Sequence, residues 1–294
     1  MPARAAPAQQ ALGAEALGAT LPPLVVQAER VASTVMQGVH GRRRSGQGDA
    51  FWQFRPFLQG DAVNRVDWRQ SAKGDRLFVR ETEWEAAQTV LLWRDASASM
   101  HEGKRERAEL LLLALSGLLL RGGERVRLFG DAAAPRRSFT GRTGLPALAQ
   151  ALSGVTGGAG LPLPDPSLPR HGRCVLLSDF YTPVEEVQHA VAALAGLPLR
   201  GVLVQIVAPG EEEPALQGRV HLHGLEGEAP VLVANAAPVF GAGQPFRQWF
   251  AAHRAACADV ARAAGWTLLA HRTDHRPETA LMALYQALTQ ATLA

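Results

Sequence analysis

The residues best suited to chemistry in this chain lie in one short run, Asp95-Ala96-Ser97-Ala98-Ser99-Met100. One carboxylate and two hydroxyls at alternate positions offer only oxygen. That is the donor set of a hard divalent cation such as Mg2+, which keeps several of its waters. The same residue types also cap helices and build turns, so the run reads equally as a strand-to-helix turn. A second carboxylate, Asp179, stands in a matching context, Leu177-Ser178-Asp179-Phe180. If both runs close adjacent parallel strands, Asp95 and Asp179 face one crevice, with Ser178 adding a third hydroxyl. Arg94 places a cation beside Asp95 in the chain, but alternation along a strand turns its side chain to the other face.

Other chemistries find less support. Gly-x-Ser-x-Gly is absent, as is a Gly-Lys-Ser/Thr phosphate loop, so neither an esterase elbow nor nucleotide binding by that route is expected. Near Asp95 the side chains able to act as a base are His101 and Lys104. His221 and His223 share a strand face without a third ligand and read as surface residues. Cys174 lies in an apolar strand and Cys257 among helical alanines, and both read as buried, inert thiols. Arg42, Arg43 and Arg44 form a solvated basic loop, and the acidic run Glu211 to Glu213 reads as a surface loop.

These residues must be positioned by regular elements, and the chain from residue 86 supplies them. Gln88–Asp95, Arg125–Phe129, Arg173–Ser178, Gly201–Val207 and Trp266–Ala270 read as strands, with weaker candidates at Arg219–His223 and Val231–Ala234. Helical periodicity appears at Lys104–Arg121, Gly144–Leu152, Pro183–Ala195, Gln244–Ala264 and Glu278–Thr289. Strands alternating with helices predict crossover units and an α/β fold with a doubly wound, mostly parallel sheet, whose ligand crevice lies at the carboxyl ends of the strands. Residues 38–85 differ: aromatic and charged residues interleave without a helical period, which predicts an irregular extension with short strands, the best of them at Arg76–Glu83. Residues 1–37 read as a flexible tail followed by a short helix at Leu24–Gly38.

The chain is 294 residues long, with 47% hydrophobic and 19% charged residues, as in a globular protein. Thirty Lys+Arg against 27 Asp+Glu leave a charge of only +3, too little for a nucleic-acid groove. The most apolar stretch, Leu110–Leu120, is too short for a membrane span, which needs about 20 residues. No export signal is read in residues 1–23, and a cytoplasmic location is expected.

The turn Asp95-x-Ser97-x-Ser99-Met100, the helix beginning at Lys104 and the strand-terminal Asp179 resemble the metal-ion-dependent adhesion site of von Willebrand factor type A domains. The upstream run Arg55-Pro-Phe-Leu-Gln-Gly60-Asp61-x-x-x-Arg65-Val66-Asp67-Trp68-x-x-Ser71-Ala72, followed by Leu77-x-Val79-Arg80-Glu81, is similar to the signature of the DUF58 family. The resemblance implies a type A-like domain over 86–294 and a signature segment over 38–85. It also implies a metal site of Asp95, Ser97, Ser99, Asp179 and a threonine. Thr140, Thr143 and Thr156 lie in the right interval, and Thr143, just before a helix, is the best placed.

By the same resemblance the chain is a non-enzymatic, chaperone-like protein-binding module, with possible Mg2+ dependence, acting with a MoxR-type AAA+ ATPase in protein maturation or complex assembly. Arg55, Asp61, Arg65, Asp67, Trp68 and Arg80 would form a partner surface or an ion-pair lattice, with Trp68 packed to lock the segment. The residue chemistry leaves two alternatives open, a metal-dependent hydrolase or phosphotransferase and a metal-independent scaffold with a degenerate site.

Overall fold

A computed structural model describes residues 23–40, 51–57, 66–74, 76–82, 88–101, 103–131, 134–141, 143–155, 160–169, 172–212, 214, 216–223, 229–240 and 245–290. The contacts divide the chain into two compact units, residues 38–87 and the remainder.

The larger unit is built on five parallel strands: β3 (Thr89–Arg94), β4 (Arg125–Leu128), β5 (Arg173–Ser178), β6 (Arg200–Val207) and β9 (Thr267–Arg272). Their order across the sheet is β4-β3-β5-β6-β9, with β3 pairing in parallel to both β4 and β5. From β3, the chain first moves one way to β4 and then crosses back to the other side. The reversal point of this doubly wound α/β fold therefore lies between β3 and β5, where such sheets leave a crevice at their carboxyl ends. The two weak strands, β7 (Val220–Leu222) and β8 (Val231–Val233), pair only with each other, antiparallel, outside this sheet. Their burial explains why: Val231 and Leu232 are exposed, whereas a strand inside a parallel sheet is covered on both faces.

Helix α3 (Lys104–Arg121) is buried continuously from Leu110 to Leu120, which is why its sequence is apolar all round. It lies between the sheet and other helices: α4 (Gly144–Ser153) and α9 (Pro277–Gln290) pack on it, and Ala32 of α1 (Pro23–His40) approaches its Gly117. Its buried Ser116 hydroxyl donates to the Leu112 carbonyl at 2.7 Å, so no polar group is stranded there. The opposite face of the sheet carries α5 (Val184–Ala195) and α8 (Pro245–Ala263), closing a core that includes Leu91, Trp93, Cys174, Leu176, Leu203, Cys257 and Trp266. Gly201 lets Trp266 approach β6: a Cβ there would lie 2.3 Å from the indole. Two short helices, α6 (Pro209–Glu212) and α7 (Ala237–Phe240), complete the elements of this unit.

The smaller unit holds an antiparallel pair, β1 (Phe51–Pro56) and β2 (Phe78–Thr82), joined in part by the single turn α2 (Trp68–Ser71). Asp67 caps that turn, its carboxylate accepting from the Gln70 amide at 2.9 Å. Ser71 then accepts from the Phe78 amide at 2.9 Å and ties the turn to β2. Trp68 does not lock the segment from within, because it is 60% exposed. Asp61 and Arg65 lie outside the described residues, as do the side chains of Arg55 and Arg80.

Candidate functional site

The carboxyl ends of β3 and β5 bring Asp95 and Asp179 to the same edge. The sheet register holds them there, since the Asp95 amide donates to the Leu177 carbonyl at 2.8 Å. A side-chain bond joins the two turns directly: the Ser178 hydroxyl donates to Asp95 Oδ2 at 2.6 Å. Asp95 Oδ1 accepts from the Ser97 amide at 2.8 Å, and the hydroxyls of Ser97 and Ser99 lie 3.0 Å apart, bonded to each other. These bonds link Asp95, Ser97, Ser99 and Ser178, and Asp179 follows Ser178 at the same edge. Arg94 donates to the Asp95 backbone carbonyl at 3.2 Å and pairs with Glu109 at 3.3 Å. Its charge is spent on Glu109 rather than on the Asp95 carboxylate.

The turn after β5 is held in an uncommon conformation. Phe180 has φ +53° although it is not glycine, and it is fully buried. Its amide donates to Ser178 Oγ at 2.9 Å, and its carbonyl lies 2.7 Å from His253 Nε2 of α8. Gln205 of β6 donates to the Asp179 carbonyl at 3.0 Å. These fixed bonds set the direction of the Asp179 side chain.

Lys104 is the residue whose role sequence reasoning missed. It opens α3 directly after Gly103, whose φ of +78° places that turn in the left-handed region. Its side chain is 0% exposed, and its ammonium donates to Asp179 Oδ2 at 2.9 Å. It also donates to Glu211 of α6, and it lies 4.9 Å from the centre of the Tyr181 ring. Glu211 and Glu212 are therefore no surface loop. Glu211 Oε2 accepts from the Ala208 amide at 2.7 Å, and Glu212 pairs with Arg254 and, at 3.4 Å, with Arg272. Glu213 lies outside the described residues. A lysine in the first turn of a long helix, where the macrodipole disfavours a cation, is the sequence signal that could have revealed this pairing.

Of the candidate threonines, Thr143 is exposed and makes no side-chain cap on α4, and Thr140 is exposed. Thr156 lies outside the described residues. Among the described residues no hydrogen bond joins a threonine to Asp95, Ser97 or Ser99, and no group of three or more His, Cys, Asp or Glu is arranged to hold a metal ion. The donors present do not fit the full divalent site of the adhesion-site resemblance, because Asp179 is already committed to an ammonium. Lys104 is engaged by two carboxylates, His101 is exposed on the turn, and the two serines bond each other rather than a base.

A cleft of about 410 Å³ opens beside this edge, along the ends of β3 and β4, and includes Arg94, Arg127 and Arg136 in its wall. Arg94 is tied to Glu109 and to the Val155 carbonyl, and Arg127 to both oxygens of Ser167. Both cysteines are buried as expected, and burial raises both thiols, that of Cys257 to about 11. His221 and His223 are exposed with rings stacked 6.3 Å apart.

On the other side of the edge, α8 presents an aromatic stripe. Phe246, Trp249, Phe250 and His253 recur at helical spacing, and Phe250 meets Tyr181 edge-on at 6.0 Å between ring centres. Trp249 stacks on His253 at 5.2 Å yet remains 51% exposed.

Residues 53–255 match the model of the family described as "Protein of unknown function DUF58". The chain belongs to the DUF58 family. Uncharacterized proteins of Mycobacterium tuberculosis and Mycobacterium bovis are 28% identical to this DUF58 chain over 284 residues, covering 88% of it and 85% of their own length. Among solved structures, the conserved hypothetical protein BatB from Bacteroides thetaiotaomicron is similar at a TM-score of 0.41 and 13% identity, over 71% of this chain and 100% of that one. An aerotolerance-related membrane protein from Bacteroides fragilis gives 0.38 and 12%, over 69% and 100%. At these scores neither likeness bears on the site. No helix among the described residues of the DUF58 chain is long and apolar enough to cross a membrane.

Proposed function

We propose that this DUF58 chain is a non-enzymatic protein-interaction module, and that its contact surface is the carboxyl edge of the parallel sheet together with the aromatic face of α8. The partner class is the one the family resemblance implies, a MoxR-type AAA+ ATPase, in protein maturation or complex assembly.

The observation that carries this reading is Trp249. Half its surface is exposed, it is stacked on His253, and His253 in turn rests on the carbonyl of Phe180, the residue after Asp179. A tryptophan held rigid beside a polar edge with fixed hydrogen bonds is the pairing that interface hot spots use: an apolar anchor next to oriented polar groups. Among the described residues of the edge no nucleophile is paired with a base, and the polar groups bond one another, which suits recognition rather than turnover.

The test is binding of the purified MoxR-type ATPase from the same organism to the immobilised chain. The wild type is expected to retain it. Trp249→Ala is expected to weaken retention by roughly thirtyfold, the effect of losing an interface hot spot of about 2 kcal/mol. Failure of the wild type to retain the ATPase, or equal retention by Trp249→Ala, overturns the reading.

A further inference from the structure

We infer that Lys104 is the built-in cation of this sheet edge: its ammonium pairs with Glu211 and with Asp179, the carboxylate a divalent ion at this edge would need beside Asp95, and the edge is complete without metal. The inference rests on the geometry around Lys104 and is independent of which partner the edge binds.

The argument begins with cost. An ammonium taken fully out of water is tolerated only when it is paired and hydrogen-bonded. Lys104 is in that position and has two carboxylate partners from different elements, Asp179 at the end of β5 and Glu211 in α6, with the Tyr181 ring against it. Its own helix offers no help, because the amino end of α3 carries the positive pole of the macrodipole. The pairing with Asp179 and Glu211 is therefore what keeps the charge buried there.

The second step is an account of the acceptors. Asp179 gives Oδ2 to Lys104 and Oδ1 to the Tyr181 amide at 3.2 Å. Glu211 gives Oε1 to Lys104 and Oε2 to the Ala208 amide. Asp95 gives Oδ2 to Ser178 and Oδ1 to the Ser97 amide. Each of the six carboxylate oxygens already accepts a hydrogen bond. A divalent ion bridging Asp95 and Asp179 would have to compete with these donors and share a low-dielectric pocket with the buried Lys104 ammonium. Like charges in such a pocket repel far more strongly than at a surface.

The test uses Mn2+ as the probe on the full chain after chelator treatment, reading bound ion by loss of the free-ion electron paramagnetic resonance signal and stability by urea unfolding. For the wild type the expected result is no stoichiometric uptake and a urea midpoint that Mn2+ does not move. Lys104→Ala removes the ammonium and frees Asp179 and Glu211, and the folded variant is expected to take up Mn2+ and to be stabilised by it.

Should that variant fail to fold, the wild type and Asp95→Asn decide. Both are expected to ignore Mn2+. One Mn2+ bound per wild-type chain and lost in Asp95→Asn overturns the inference. A folded Lys104→Ala that stays blind to Mn2+ overturns it as well.

Discussion

Asp95 and Asp179 occupy equivalent places, each one step beyond a central parallel strand, yet they are stabilised by opposite means. Asp95 is held by neutral donors, a serine hydroxyl and a backbone amide. Asp179 is held by a buried ammonium that a second carboxylate shares. Strand topology fixes where a carboxylate sits, whereas its charge partner comes from elements distant in sequence. Glu211 is 107 residues from Lys104, and only the ordering of β6 and α6 beside β5 brings them together.

The contrast predicts a large asymmetry in stability. Lys104→Met leaves the buried Asp179 and the part-buried Glu211 without their cation and is expected to cost about 3 kcal/mol, the lower end of the usual penalty for breaking a buried pair. Urea unfolding measures it. A loss below about 1 kcal/mol, the scale of an exposed ion pair, would mean that the ammonium is not the partner of Asp179 and the two turns are alike.

Acid titration sharpens the comparison by removing a confounding group. His271, at the end of β9, accepts from Arg107 of α3 at 2.9 Å, and burial, with the Arg107 charge second, lowers it to about 4. Because the folded value lies below the ordinary 6.5, the unfolded chain binds the proton first. The stabilisation is full above pH ~6.5 and is lost as pH falls towards 4, on the order of 2 kcal/mol. His271→Gln keeps an acceptor for Arg107 and is expected to flatten stability between those pH values. An unchanged slope would assign the acid loss to the carboxylate turns instead.

On the Asp95 side the expected effects are smaller. Ser178→Ala removes a hydroxyl that donates to Asp95 and accepts from the Phe180 amide, and should cost about 2 kcal/mol, because two buried hydrogen bonds are lost while Asp95 keeps its amide. A cost as large as that of Lys104→Met would erase the contrast. Smallest of all, Ser97→Ala, at a part-exposed turn position, is expected to move urea stability by less than about 0.5 kcal/mol, so any loss of partner binding in it is a property of the surface.

Much of the larger unit was legible in the sequence. Alternating apolar runs and helical periods marked the strands and helices to within a residue or two, and the apolar ends of β3 and β5 placed Asp95 and Asp179 on one edge. Val220–Leu222 and Val231–Val233 are strands as expected, although composition does not say which sheet a strand joins. What failed did so for physical reasons. Trp68 was expected inside its segment and is exposed, because aromatic content alone does not reveal which side of a short turn faces solvent.

Glu211 and Glu212 read as a solvated charge run because their partners, Lys104, Arg254 and Arg272, are far away in sequence. Lys104 drew notice only as a possible base. The Trp249 stripe has the spacing of an ordinary buried helix face, and only the fold shows that the face is left partly uncovered.

The most direct measurement is retention of the MoxR-type ATPase by the immobilised wild-type chain, in excess Mg2+ and again in EDTA, with the nucleotide state of the ATPase held the same. An edge whose cation is Lys104 retains the partner equally in both. Retention in Mg2+ that disappears in EDTA, and returns when Mg2+ is restored, would contradict a metal-independent edge and give the cation's place back to a divalent ion.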